Sequence, residues 1–340
     1  MKNILVLGAS GMLGGEAVEY FNSMQGYKAT GLSRDPGSDF RETVRSYLER
    51  GIYDWCVNCA AMTDTAGAQD VLYKRMLSLK ANAMFPAEIA RMCREYDVRL
   101  LHFSTDYVFS GEPANFPISD MAKPSPIGVY GTHKAIGENE ALAQNSGATA
   151  VLRTSWLYGK RHEKSFVHRF SRALVQALAA GKTLSAPDDE VSLPTSTKAL
   201  LRMSRLVIDQ DLRGIMHATT LPHGGLLPCN QVPSRLRWAR EIGFILHTGW
   251  TKRKKLGVTT PAEDLIWGKY DAMSSITEKQ GGETDEWRPS YSAMLVSESL
   301  RGVSEDWIED LHGFFADNGY GEEWSRKICE EAVEAIGGTA

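Results

Sequence analysis

The chain has no run of about 18 apolar residues, so no membrane-spanning helix is expected. It has no excess of positive charge. With 38 basic and 42 acidic residues the formal net charge is −4, which removes the field that a nucleic-acid polymer would call for. One local basic run, Lys252-Arg253-Lys254-Lys255, reads as a solvated loop. Cysteine is scarce. Cys56, Cys59, Cys93, Cys229 and Cys329 are an odd, scattered set, which argues against a disulfide framework. Cys56 and Cys59 form one CxxC, but no second pair or His-x3-His completes a zinc site, so both read as small buried residues. There is no HExxH and no GxSxG, so neither a metal site nor a serine hydrolase is expected. The apolar run at residues 4–7 is too short for a secretory signal and leads straight into glycines, so a cytoplasmic chain is expected.

Hydrophobic residues make up 43% of the 340, enough for one large or two medium domains. Short apolar runs at 4–7, 28–32, 55–58, 99–103 and 150–153 suit buried strands. Helical spacing fills the intervals at 12–24, 40–50, 76–96 and 129–145. Such alternation predicts an α/β fold, a doubly wound parallel sheet with helices on both faces. Residues 165–180 and 197–209 read as helices, and 215–218 as a late strand. Residues 1–155 are therefore expected to form the nucleotide-binding part, with 197–219 returning to its sheet. Residues 156–340 are expected to form mainly a smaller substrate domain. Within it, 221–287 is expected to be a variable insertion, loop-like at 221–235 and mobile at 250–290, before closing helices at 304–316 and 322–336.

Gly8-Ala9-Ser10-Gly11-Met12-Leu13-Gly14 lies between the first strand and the first helix. Glycines there permit a tight turn and close approach of a pyrophosphate, and the helix N-terminus offers N–H groups to it. Gly8, Ser10, Gly11, Met12, Leu13 and Gly14 are thus candidate cofactor contacts. The second strand ends in Ser33-Arg34, where an acidic residue would bind ribose hydroxyls and reject a 2′-phosphate. A hydroxyl and a guanidinium suit that phosphate, so NADPH is the expected cofactor. Asp35 beside them leaves NADH open.

Among the tyrosines, Tyr130 alone has a lysine four residues on, Lys134, a spacing that puts both on one helix face. A lysine cation there is expected to lower the phenol pKa and make Tyr130 a usable acid or base. His133, on another face, is expected to be exposed. Thr105 ends the fourth strand, at the sheet edge where ligands of such folds sit, and could share a carbonyl oxygen with Tyr130.

With these motifs the chain resembles the extended short-chain dehydrogenase/reductase superfamily, and more closely the dTDP-4-dehydrorhamnose reductase family. The resemblance rests on GASGMLG (8–14), VNCAAMT (57–63), KANAMFPAEIA (80–90), FSTDYVFSG (103–111), YGTHK (130–134), RTSWLYG (153–159) and RPSYSAML (288–295). It implies a Rossmann-type dinucleotide-binding domain. It also implies Thr105, Tyr130 and Lys134 as the catalytic set, with Tyr130 and Lys134 contacting cofactor as well. Asp39 and Phe40 would lie near the adenine, and Ala60 and Ala61 beside the cofactor. Asp106, Tyr107 and Trp156 would border the sugar together with Thr105 and Tyr130. Two stretches depart from the family pattern. Thr65-Ala66-Gly67-Ala68-Gln69-Asp70 replaces a valine–aspartate–lysine–alanine–glutamate stretch. Asp189-Glu190-Val191-Ser192-Leu193-Pro194-Thr195 replaces the usual glutamine–x–glycine–x–proline–threonine segment.

The expected activity is NADPH-dependent reduction of the 4-keto group of a nucleotide-activated deoxysugar. Two alternatives stay open: an NAD-dependent sugar-nucleotide epimerase or dehydratase, and a catalytically silent NADP-binding regulatory subunit. The expected partner is the nucleotide sugar; a homodimer is compatible with this class. Arg172, Lys182, Arg235 and Arg237 are unranked candidates for its diphosphate.

Overall fold

The computed structural model describes residues 1–35, 39–112, 117–160, 165–223, 232–268, 275–278, 294, 296–317 and 323–336. The first half alternates β1 (Lys2–Leu7), α1 (Met12–Asn22), β2 (Tyr27–Leu32), α2 (Phe40–Leu48), β3 (Trp55–Asn58), α3 (Thr65–Asp70), α4 (Leu72–Leu79), α5 (Phe85–Glu95), β4 (Arg99–Thr105), α6 (Val129–Gln144) and β5 (Thr149–Thr154). The second half runs β6 (Leu157–Tyr158), α7 (Phe166–Ala179), β7 (Leu184–Ala186), β8 (Thr195–Ser196), α8 (Thr197–Gln210), β9 (Gly214–His217), α9 (Arg235–Lys255), α10 (Pro261–Trp267), β10 (Ile276–Glu278), α11 (Trp307–Asp317) and α12 (Glu323–Ala335).

Six parallel strands form the main sheet in the order β2-β1-β3-β4-β5-β9. Alternate side chains of β1 enter opposite layers, as the two-residue period of a strand requires. Ile4 and Val6 join Phe21 of α1 and Leu200 of α8 on one face; Leu5 and Leu7 join Val44 of α2 and Ile89 of α5 on the other. The doubly wound α/β class expected from the sequence is the class found. The strand order reverses between β1 and β3, so a crevice opens there at the C-terminal edge. The candidate site forms along that edge.

Three expectations change. The stretch expected as one helix over 76–96 is two α-helices joined by a π-helical turn at Lys80–Met84. The basic run is not a loop. It closes the last turn of α9, where cations suit the helix C-terminus, and Arg253 within it is buried, its guanidinium 2.5 Å from Glu263. The mobile insertion expected over 250–290 is, where described, partly α9 and α10. Trp238, Ile242 and Leu246 of α9 and Ile266 and Trp267 of α10 fill a second core with α7, α11 and α12. Residues 224–231, Gly281-Gly282 and most of RPSYSAML lie outside the described residues.

One buried ion pair ties α6 to the sheet. Arg153 of β5 donates to Glu138 through Nε (3.0 Å) and NH2 (2.7 Å), and both side chains are shut off from solvent. Removing one partner strands a buried charge, whereas removing both does not. Arg153→Met is expected to cost about 3–5 kcal/mol, and Arg153→Met with Glu138→Leu to recover most of it. Denaturant midpoints of the single and double variants check this; equal losses would show that the pair is not coupled.

Candidate active site

The glycine loop lies at the β1 end of the crevice. Gly8 and Ala9 donate their N–H groups to the Leu32 carbonyl of β2 at 2.8 and 3.0 Å, and Gly11 donates to Gly8 O at 3.0 Å. A Cβ on Gly14 would stand 2.2 Å from the Gly8 carbonyl oxygen, so no other residue lets α1 press this closely on the loop. No side chain caps the first turn of α1, so its N–H groups have no side-chain acceptor there. Ser33 is half-buried and Arg34 exposed where β2 ends. Ala60 follows β3, its N–H bonded to Asn58 Oδ1 at 3.1 Å, and Ala61 beside it is exposed. Asp39 caps α2 by accepting from Arg41 N, and Phe40 stacks on Phe85 at 5.6 Å. Uncapped amides, a loop without side-chain bulk and a cation at the next strand end fit a phosphate-bearing dinucleotide.

The candidate reacting centre lies where β4 meets α6. Thr105 ends β4, donates to Asp106 Oδ1 at 3.0 Å and accepts from Tyr107 N at 3.3 Å. Tyr130 lies in the first turn of α6, and its ring meets Tyr107 edge to face at 5.7 Å. A Cβ on Gly131 would stand 2.0 Å from the Tyr107 carbonyl oxygen, so glycine is what lets this turn close on the loop after β4. The Val129 N–H at the start of the helix donates to Gln69 Oε1 at 3.1 Å, so a residue of the first departing stretch helps hold Tyr130 in place. Burial pushes the phenol above its ordinary value, Tyr107 and Asp106 push it further, and the Thr105 hydroxyl pulls against them. The phenol therefore keeps its proton at neutral pH and is a donor.

Lys134 is buried beneath this centre. Its Nζ donates to the Phe103 carbonyl at 2.5 Å and lies 3.4 Å from His102 Nε2. Burial brings its ammonium down to about 8, against the pull of Glu138 one turn on. In this arrangement the lysine is engaged with β4, and the phenol sits above its ordinary value rather than below it. His133, expected to be exposed, is buried instead. Its Nδ1 lies 3.0 Å from Ser78 Oγ, and Ser78 accepts from Asn82, which also bonds both backbone groups of Met62. The flank of α6 that carries His133 is covered by α4 and the π turn, and the spacing rule could not reveal that.

Side chains from the second half of the chain meet this candidate centre. Asp106 is buried and accepts from Ser192 Oγ at 3.2 Å. Trp156 holds φ at +41°, a region that costs a bulky residue of order 1–3 kcal/mol. The Arg235 guanidinium lies 3.6 Å from its ring centroid, and Trp238 stacks at 5.4 Å. Arg235 also meets Glu190 at 3.3 Å, and burial lowers its pKa against the pull of Glu190, Tyr107 and Asp106. Of the four candidate cations, Arg235 is thus the one facing the reacting centre. Arg172 pairs with Glu331 at the surface, Lys182 is exposed, and Arg237 lies over Trp307. The sequence reading missed Asn58, His102, Ser192 and Trp238. Asn58 lies within the quoted VNCAAMT and His102 directly precedes FSTDYVFSG, but buried polar partners leave no period in a sequence.

Among known families, the model described as RmlD substrate binding domain matches residues 1–256. The chain belongs to that family. The "dTDP-4-dehydrorhamnose reductase" of Mycolicibacterium smegmatis is 30% identical over 301 residues, 87% of this chain and 86% of that protein. The "dTDP-4-keto-6-deoxy-D-glucose reductase" of Streptomyces niveus is 32% identical over 216 residues, 64% of this chain and 72% of that protein. A crystal structure of dTDP-4-dehydrorhamnose reductase from Bacillus anthracis in complex with NADP superposes with a TM-score of 0.72. At 22% identity, covering 93% of this chain and 99% of that one, it attests the fold. The family match ends at the last turn of α9 and so includes the helix that carries Arg235 and Trp238. Among the described residues no helix is long and apolar enough to cross a membrane.

Lys134 makes the site's electrostatic cost measurable. An unfolded lysine titrates at its ordinary 10.5 and the folded one at about 8. Between those values the unfolded chain binds more protons, so stability climbs as pH rises through the window; below it the full cost of burying the ammonium remains. Lys134→Met is therefore expected to stabilise the fold at pH 7 by about 3 kcal/mol, and the gain should shrink toward pH 10. Urea unfolding at both pH values decides it: a gain that grows with pH contradicts the buried-ammonium account.

Proposed function

We propose that this chain is an NADPH-dependent reductase of the 4-keto group of a nucleotide-activated deoxysugar, with a thymidine diphosphate sugar as the first substrate to test. The observation that carries the reading is the protonated Tyr130 phenol bonded to Thr105 at the C-terminal end of β4, beside a phosphate-ready glycine loop. The proteins it resembles, by their names, reduce keto sugars linked to dTDP. Bound there, NADPH would supply the hydride to the carbonyl carbon. The N–H groups at the start of α1 and the loop of Gly8, Gly11 and Gly14 hold its pyrophosphate, and Ser33 and Arg34 hold the 2′-phosphate. Tyr130 gives its proton to the forming alkoxide, and Thr105 hydrogen-bonds the same oxygen. Donors fixed at a developing oxyanion are often the largest catalytic term. Asp106 and Tyr107 border the sugar, and Arg235 over Trp156 closes its far side.

Turnover of dTDP-4-keto-6-deoxysugars with NADPH and with NADH tests the whole reading. NADPH should be preferred, and Arg34→Ala should narrow that preference. Tyr130→Phe should bind NADPH normally and lose about 10²–10⁴-fold in kcat. Redox-neutral conversion of the sugar would make the chain an epimerase or dehydratase. NADPH binding without turnover on any sugar would make it a silent subunit.

A homodimer belongs to the same proposal. Leu72, Tyr73 and Met76 of α4, Met84 of the π turn and Ile136 of α6 are exposed apolar residues on three packed segments. An apolar area of that kind suits a second copy of the chain. Light scattering should give a dimer mass, and Leu72→Glu with Tyr73→Glu a monomer; a monomeric parent protein ends the proposal.

A further inference from the structure

Lys134 ends in a chain of three buried polar side chains whose hydrogen atoms can be assigned by elimination. Asn58 Oδ1 accepts the Ala60 N–H at 3.1 Å, so the amide cannot be turned around. Its Nδ2 therefore faces His102 Nδ1, at 3.2 Å. An NH2 donates and cannot accept, so Nδ1 must offer a lone pair. His102 is fully buried, and burial together with Lys134 drives its pKa well below the ordinary value, so the ring is neutral. A neutral imidazole with a lone pair on Nδ1 carries its hydrogen on Nε2. That N–H points at Lys134 Nζ, 3.4 Å away. An ammonium has no lone pair to receive it; a neutral amine does, and it can still donate to the Phe103 carbonyl.

We propose that His102 is a positioning residue, locked by Asn58 as the Nε2–H tautomer, and that it biases Lys134 toward the neutral amine in the cofactor-free protein. The surroundings are consistent with this. Glu138, which favours the ammonium, is taken up by Arg153 of β5. Asp106, on the loop after β4, acts on Tyr130. Arg75 of α4 acts on His133, and Glu88 of α5 pairs with Arg41. A consequence, resting on the reading that the crevice binds NADPH, is that Lys134 takes a proton from solvent when it leaves His102 for the anionic cofactor. Cofactor binding is then linked to proton uptake.

The test begins with the cofactor-free protein. Nitrogen-15 NMR of the His102 ring distinguishes the two tautomers directly: a protonated Nε2 with a bare Nδ1 is expected, and a protonated Nδ1 overturns the proposal. Lys134, labelled at Cε and assigned by its loss in Lys134→Met, should titrate near 8. Asn58→Asp gives Nδ1 a pure acceptor, moves the ring hydrogen to Nδ1 and frees Nε2 to accept from an ammonium. The Lys134 midpoint should then rise by more than about one pH unit. The added charge alone acts without the ring, so the same substitution in a His102→Phe background should give a clearly smaller rise. Equal rises in both backgrounds refute the tautomer lock. Calorimetry of NADPH binding at pH 8 in buffers of different ionisation enthalpy should show uptake of about half a proton, absent in Lys134→Met. Heat without proton uptake removes the linkage, whereas no binding heat at all removes the cofactor reading and leaves the NMR result standing.

Discussion

The site depends on one constraint, the fixed register of α6 against β4 and β5. Tyr130, Lys134 and Glu138 follow one another at intervals of four along one side of the helix. Each is held by a different strand feature: Tyr130 by Thr105 at the end of β4, Lys134 by the Phe103 carbonyl inside it, Glu138 by Arg153 of β5. Sliding the helix by one turn would break all three contacts together. The Glu138–Arg153 pair is what makes such a slip expensive, since a fork of two donors on two carboxylate oxygens has one geometry. Replacing both residues with apolar side chains need not lower stability. What the pair adds beyond stability is precision: it places a phenol and an amine with respect to the end of β4.

Around that fixed helix the charges are arranged so that the phenol stays protonated. Asp106 is buried within reach of Tyr130 and is held by Thr105 and Ser192. A carboxylate there raises the phenol, and Lys134, drawn down to Phe103 and His102, does not oppose it. The resting arrangement therefore favours Tyr130 as an acid over Tyr130 as a base. A reductase asks for an acid, because hydride arrival leaves negative charge on oxygen.

The six sheet strands were legible because each is short, apolar and bounded by glycine or polar residues, and β3 was placed to the residue. The glycine loop and Tyr130–Lys134 were legible because backbone approach and helix spacing leave marks in order and distance along the chain. α9 was not read as a helix. It mixes Arg, Lys, His and Gly with its apolar residues and ends in four cations, so its buried stripe of Leu236, Ala239, Ile242 and Leu246 is diluted. His133 was misread for a related reason. Spacing tells which residues share a face but not what packs on that face, and α4 with the π turn covers it. Arg235 could be named as a cation but not ranked, because its distinction comes from Trp156 and Glu190, both more than 40 residues away in sequence.

The departures from the family pattern fall on the supports of the site and not on its reacting groups. Gln69 bonds the first N–H of α6. Ser192 bonds Asp106, and Glu190 holds Arg235 against Trp156. A hydroxyl at 192, where the pattern has glycine, spends one acceptor site of Asp106 on the protein, which leaves that carboxylate fewer sites for sugar hydroxyls. A carboxylate at 190, where the pattern has glutamine, pairs with a guanidinium that lies over the ring of Trp156, whose backbone is strained. Both changes add polar contacts to the proposed sugar side. In the proposed site the reacting groups stand on β4 and α6 and the pocket wall on α9 and the segment before β8, and Asp106, bonded by both Thr105 and Ser192, couples the two.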